Sequence, residues 1–413
     1  MRVRKSLSAV AVATVAALAA TGCGGSGSGD SGKATVTMWT YPAIFDEAKH
    51  RAHWDETIKA FQATNPDINV KVEIFPWANR DQALATAIAG NKGPDVVYLI
   101  PDQLPKYARN IEPVDKYLDE ATKSDLHANV VQSVTIDGKM MGAPILTSAS
   151  TPICNKKVFA AVGETNYPTS WNDLLTLAPK FKAKGYDIIS YAGDAKQTLN
   201  QTFYPLLWQA GGDVFSPDGK SVAFNSDAGK KALNFLKQLV DGAYVDKSMI
   251  TAVPPIEQTR IAQNKVACSW YTPVAEIEKF WGKENIQVIP HLTETKQIGY
   301  GTVGSLSMLK TSKDKEAAGK WLAFATNAEN TKKYDIGASL FSPRKSSGPL
   351  YASDPVLGEQ EKHVATSTVG PLHEKARDVQ GVLSPEIQAA LLGKKSVDQA
   401  LEDAAKAATP LLG

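Results

Sequence analysis

The period of apolar and polar positions changes several times within the first hundred residues. Ala34–Thr40 is a short β-rich run, and Trp54, Ile58 and Phe61 then recur at i, i+4 and i+7, the stripe of a helix. Asn65-Pro66-Asp67 ends that helix, because proline cannot continue it and disfavours a helical residue before it. Val70, Val72 and Ile74 alternate with Lys71 and Glu73, the mark of a strand with one wetter face. A helical pattern over 79–92 follows. Residues 95–100 are then mostly apolar, as in a parallel strand covered on both faces. Strand, helix and strand in this order predict a right-handed crossover and an α/β lobe. Pro101-Asp102-Gln103 falls at the carboxyl end of the buried strand, the edge where open α/β sheets place ligands.

Further along, the pattern predicts a short helix at 114–120 and a hairpin on Asp137-Gly138, a dipeptide suited to tight hairpin turns. The βα rhythm restarts near residue 150, which points to a second lobe. There the helices expected are one capped by Thr169 or Ser170 and carrying Trp171, one at 203–210 closed by Gly211-Gly212, and one at 228–239. Strands are expected at 188–191, 266–270 and 286–290. An alternating run at 299–308, a helix at 314–326 and helical segments at 385–392 and 397–408 complete the chain.

A length of 413 residues is comfortable for two domains, and 43% apolar with 21% charged residues is ordinary globular composition. Without Arg2, Arg4 and Lys5 the chain holds 42 basic against 43 acidic residues, a balance that suggests no nucleic-acid partner. Those three cations precede the apolar run 7–20 and make residues 1–22 a signal peptide. Its fourteen residues are too few for a bilayer of roughly 30 Å at ~1.5 Å per residue. Leu18-Ala19-Ala20-Thr21-Gly22-Cys23 resembles the bacterial lipobox, with Ala20 where leucine is usual. That resemblance implies a lipidated Cys23 as mature N-terminus, and the Gly/Ser stretch up to residue 33 reads as a flexible linker. A secreted form cut near Ala20 is the alternative. Cys154 and Cys268 each lie in apolar strand-like runs of an exported chain, compatible with a disulfide or with two buried thiols.

Motifs for chemistry are scarce. His50 and His53 are close in sequence but lack metal-ligand spacing, and are expected to be a solvated pair at a helix start. Ser307 to Lys310 spells S-x-x-K inside a strand-like run rather than opening a helix, so it reads as chance. The tryptophans say more. Trp54, Trp171 and Trp321 sit on apolar helical stripes and are assigned to the core. Trp39, Trp77, Trp208 and Trp270 stand at strand ends, loops or beside Gly-Gly, where an aromatic ring can cover the apolar face of a sugar.

These fragments together resemble a family. Thr64-Asn65-Pro66-Asp67-Ile68, Gly93-Pro94-Asp95-Val96-Val97, Asp137-Gly138-Lys139 with Gly142-Ala143-Pro144, Asn155-Lys156-Lys157, Pro168-Thr169-Ser170-Trp171 and the run from Gly301 to Met308 carry the likeness. In order and spacing they are similar to the extracellular solute-binding proteins of bacterial ABC sugar importers, the maltose-binding-protein-like group, over everything from Ala34 onwards. The resemblance implies an α/β fold of two hinged lobes with the ligand between them: residues 34–145 plus 291–341 in the first lobe and 146–290 plus 342–413 in the second. It implies capture of a di- or oligosaccharide at the outer face of the cell membrane for an ABC permease, by a lipid-anchored monomer needing no cofactor or metal. By position it assigns ligand contacts to Trp39, Tyr41, Asp102, Gln103, Trp208, Gln209, Gly212, Trp270, Tyr271, Gly301, Gly304 and Arg344. Cys154, where the family usually has an aromatic residue, and Cys268, where methionine is common, read as packing changes. The loop at 77–81 is open to either role. The rival readings are the same fold binding a polyamine, glycerophosphodiester or peptide, and a surface glycan hydrolase or lectin.

Overall fold

The computed structural model describes residues 33–44, 46–77, 80–270 and 272–413. The expected signal peptide, the expected lipid-bearing Cys23, most of the expected linker and Tyr271 lie outside them. Ala34–Thr40 pairs in parallel with Ile68–Ile74 on one side and Val96–Leu99 on the other. Val303–Leu309 returns from far along the chain, antiparallel to Val96–Leu99, and also pairs with Ile111–Glu112 and Ala143–Thr147. All seven of its residues are buried. That explains its alternation of apolar and small residues: Ser305 and Ser307 donate to the carbonyls of Leu99 (3.1 Å) and Met141 (2.8 Å), so no hydroxyl is stranded. Ser307 is therefore a satisfied strand residue. The Gly-Pro-Asp motif also acquires a structural reason. Asp95 accepts from the amide and hydroxyl of Thr37 and from Ser312, tying the loop to two neighbours.

The second sheet runs Ile286–Val288, Ile153–Asn155, Val266–Ser269, Asp187–Ser190. Cys154 and Cys268 stand opposite each other on its antiparallel central pair and form a disulfide, Cα to Cα 4.0 Å. Each sheet faces its own core. Val36, Met38, Trp54, Phe61 and Trp321 belong to the first. Trp171, Phe181, Phe203, Phe235 and Leu401 belong to the second, under helices Trp171–Ala183, Asp227–Asp241, Ala376–Leu391 and Val397–Leu412. Among the described residues no helix is long and apolar enough to cross a membrane.

Local chemistry accounts for where the elements differ from expectation. The helix expected at 114–120 is only a 3-10 turn, Asp115–Tyr117. The helix proper, Glu120–Asp125, starts after Asp119, whose carboxylate caps the amide of Thr122. Helix Ala376–Leu391 carries Pro385 inside rather than starting there. The residue four before that proline is Gly381, where an added Cβ would meet nothing within 4 Å, so the backbone has room to yield. Helices Lys156–Val162, Val274–Trp281 and Ala328–Ala338 stand in addition to those expected.

Three connections run side by side between the lobes. Ser148 N donates to Thr302 O (2.9 Å), Ser150 N to Tyr300 O (2.8 Å) and Gly301 N to Thr368 O (2.9 Å), while Gly299–Tyr300 pairs in parallel with Ser367–Thr368. The return to the first lobe, expected at 291, comes later: Leu292 is in the second core and Ile298 and Tyr300 pack against it. The third connection is a stretch rather than a point. Ser346 bonds Asp125 on the first lobe, Val356 enters a cluster with Ile153 and Val288 on the second, and Thr368 lies in the hinge. Apolar periodicity could not place these segments, because extended polar backbone carries no such signal.

Candidate functional site

The carboxyl edge of the first sheet gathers aromatic and charged groups from three consecutive strand ends. Tyr41 follows Ala34–Thr40, and its buried ring stacks on Trp77, which follows Ile68–Ile74 (centroids 5.2 Å, 27°). Tyr98 meets both edge-on. Trp77 donates its indole N–H to Pro42 O (3.1 Å) yet stays 40% exposed, so one large apolar ring is held rigidly in an accessible position. The Arg80 guanidinium lies 4.8 Å from the Trp77 centroid, within cation–π range. Asp81 opens helix Arg80–Ala89 and accepts from Gln103 Nε2. Gln103 also accepts from Ile100 N (3.1 Å), which fixes the turn presenting Asp102.

From the second lobe, Arg377 meets this edge. Its Nε and Nη2 reach Asp102 Oδ2 at 2.9 and 2.8 Å, and its Nη1 pairs with Asp81. Burial works against the guanidinium charge, but Asp102 and Asp81 outweigh it and hold its pKa above the usual value. The second oxygen of Asp102, Oδ1, is buried and takes no hydrogen bond from the protein. Tyr300, on the hinge, feels Asp102, Arg80 and Arg377, and burial pushes its phenol up to about 12. Beside Tyr300 a cavity of about 30 Å³, room for a water molecule, is walled by Gln201, Thr202, His291 and Trp270.

The structure thus brings Tyr41, Asp102 and Gln103 together, and reaches Trp270 through Tyr300. It separates the rest. Trp39 is half-buried and packs on Phe75 at 4.4 Å. Trp208 and Gly212 line a different cavity, about 1130 Å³, with Asn129, Gln132 and Lys296. Gln209 has both ends of its amide engaged: Oε1 accepts from Trp171 Nε1 (2.7 Å) and Nε2 donates to Ile298 O (2.9 Å). Arg344 is buried and grips Thr326 O and Asp125, so its charge serves the crossing segment. Gly301 and Gly304 are needed for close approach. A Cβ on Gly301 would stand 2.1 Å from Ser148 O, and one on Gly304 2.2 Å from the Tyr98 hydroxyl. Gly304→Ala is therefore expected to cost about 1–3 kcal/mol and to displace Tyr98 from beneath Tyr41 and Trp77. Urea melts and the near-ultraviolet dichroism of these rings will show it, and unchanged spectra would refute the coupling.

The residue missed in the sequence is Arg377, while Arg80 and Asp81 fall in the loop at 77–81 that the sequence leaves open to either role. A signal existed for Arg377: it stands in the first turn of a sixteen-residue helix, where a cation opposes the helix dipole. The histidines differ from expectation. His50 is fully buried, accepts from Trp54 Nε1 (3.2 Å), and is held to a pKa of about 4 by burial and by Arg51. Among the described residues no cluster of three or more His, Cys, Asp or Glu is arranged to hold a metal.

Comparison with known proteins agrees with the two-lobed fold. The model of the bacterial extracellular solute-binding protein family matches residues 46–332. A binding protein of Brucella abortus (strain 2308) is 25% identical over 374 residues, 88% of this chain and 91% of its own. Maltodextrin-binding protein MdxE of Bacillus subtilis (strain 168) is 23% identical over 356 residues, 83% of this chain and 80% of its own. Among solved structures, the sugar-binding protein MalE of Xanthomonas citri superposes with a TM-score of 0.79 over 92% of this chain and 97% of that one. At 20% identity that likeness speaks for the fold alone. A two-lobed frame joined by three connections, matched by this family over more than half of its length, makes the chain a member of the bacterial extracellular solute-binding proteins.

Proposed function

We propose that this chain captures a neutral di- or oligosaccharide outside the cell and hands it to an ABC permease, tethered to the membrane by a lipid on Cys23. The observation that carries the reading is the composition of the edge around Asp102. Two guanidinium groups, Arg80 and Arg377, balance two carboxylates, Asp81 and Asp102, next to an accessible tryptophan ring. A sugar asks for this combination: a flat apolar face under its C–H groups and charge-assisted acceptors and donors for its hydroxyls. A polyamine would call for an excess of carboxylates, and a phosphate for an excess of cations or an open helix N-terminus. The names of MdxE and MalE point the same way.

Thermal-shift screening against mono-, di- and oligosaccharides tests the reading. The cognate sugar at a hundredfold excess over its Kd should add about 2.7 kcal/mol of stability. A shift with a polyamine, glycerophosphodiester or peptide and none with any glycan would replace the sugar assignment. Release of a cleaved product would turn the protein into a hydrolase.

A further inference from the structure

Arg377 reaches out of the lobe that anchors it. Its neighbours Ala376 and Val379 are in the second core, yet its guanidinium is bound by Asp102 and Asp81, which belong to the first lobe's strand and helix ends. Asp81 is braced from behind, its carboxylate by Gln103 Nε2 and its carbonyl by the Tyr107 hydroxyl (3.2 Å). The acids therefore form a fixed receptacle. Helix energetics do not explain the arginine, since a cation in the first turn faces the positive end of the dipole. The contact across the seam does.

We propose that Arg377 is the latch of the cleft: by gripping Asp81 and Asp102 it holds the lobes together and sets how fast ligand enters and leaves. Asp102 divides its carboxylate between two tasks. Oδ2 takes the latch, and the buried, unpartnered Oδ1 is left for a ligand hydroxyl. Because ligand enters only between parted lobes, the apparent association rate scales with the parted fraction. Release waits for the same parting. A loosened latch must therefore raise both rates together, with less change in affinity. An ion pair on a rigid face would move neither.

Arg377→Gln and Asp81→Asn, made in the mature full-length chain, test this in two arms. In small-angle scattering without added sugar, wild type should gain radius of gyration between about 0.05 and 1 M NaCl, as the Debye length falls toward roughly 3 Å. Arg377→Gln should show the larger radius already at low salt and respond little to more. The kinetic arm rests on the sugar reading and uses the best saccharide of the screen. In stopped-flow tryptophan fluorescence both association and dissociation should rise about fivefold, the effect of an exposed ion pair at the upper end of its range. Equal radii for wild type and variants at both salts would overturn the latch, as would a rise in the dissociation rate alone or no change in either. Far-ultraviolet dichroism confirms that the variants are folded. The scattering arm needs no sugar, so failure of the sugar assignment leaves it intact.

Discussion

Replacing Cys154 and Cys268 together by alanine should lower the stability of the protein by about 4–5 kcal/mol. The disulfide closes a loop of 114 residues, and the chain-entropy estimate for a loop of about a hundred is ~4.7 kcal/mol. Alanine is the right substitution because both sites are buried, 0% and 1% exposed, and serine would strand a hydroxyl there. Denaturant midpoints of variant and wild type measure the difference. The same shift should appear when wild type is unfolded under strong reductant, since the buried sulfurs become reducible once the sheet opens. Coincident midpoints would mean that the denatured chain is already as restricted without the bond. Sugar affinity of the folded variant should stay close to wild type, because the disulfide joins Ile153–Asn155 to Val266–Ser269 within the second sheet, whereas Asp102 and Trp77 stand at the edge of the first.

Asp102→Ala should weaken binding of the saccharide found by the screen between about tenfold and a hundredfold. A hydrogen bond to a charged group contributes about 1.5–3 kcal/mol, and here the acceptor is lost outright. Asp102→Asn, which keeps the shape but not the charge, should fall between. Isothermal titration reads both. Trp77→Ala should act differently: it removes the accessible ring together with its contacts to Tyr41 and Tyr98, so affinity should fall along with about 1–3 kcal/mol of unfolding free energy, from two ring pairs of about 0.5–1.5 kcal/mol each. Unchanged affinity in Asp102→Ala would place the ligand elsewhere, with the cavity beside Trp208 as the next candidate.

Much of the frame is legible because it rests on local rules. Val70, Val72 and the run ending at Leu99 announce strands by period and composition, and the Asp137-Gly138 turn takes the positive φ angles, 50° and 73°, that its residue types permit. Ser170 caps its helix through Asp173, as the Pro-Thr-Ser signal foretells. The candidate site is legible only on one side. Asp102 and Gln103 are readable because a rule links strand ends to ligand edges. Arg377 lies 275 residues from Asp102. Nothing local about it requires that meeting, apart from its poor fit to the helix dipole. The positional assignments of Gln209, Gly304 and Arg344 overlook a physical distinction. A buried amide, a small residue or a guanidinium serves packing as readily as binding, and only its partners decide which.

The strand Val303–Leu309 has a consequence in time. It pairs with three strands of the first sheet, Val96–Leu99, Ile111–Glu112 and Ala143–Thr147, yet it is made long after all of them. At about 5–20 residues per second, synthesis of the roughly 155 residues between Thr147 and Val303 takes on the order of 8–30 s. Throughout that interval the nascent first lobe lacks the strand that unites its edges, and its alternative is an unfinished sheet. A chain obliged to remain unfinished until three quarters of it exist is one that an export machine can still thread.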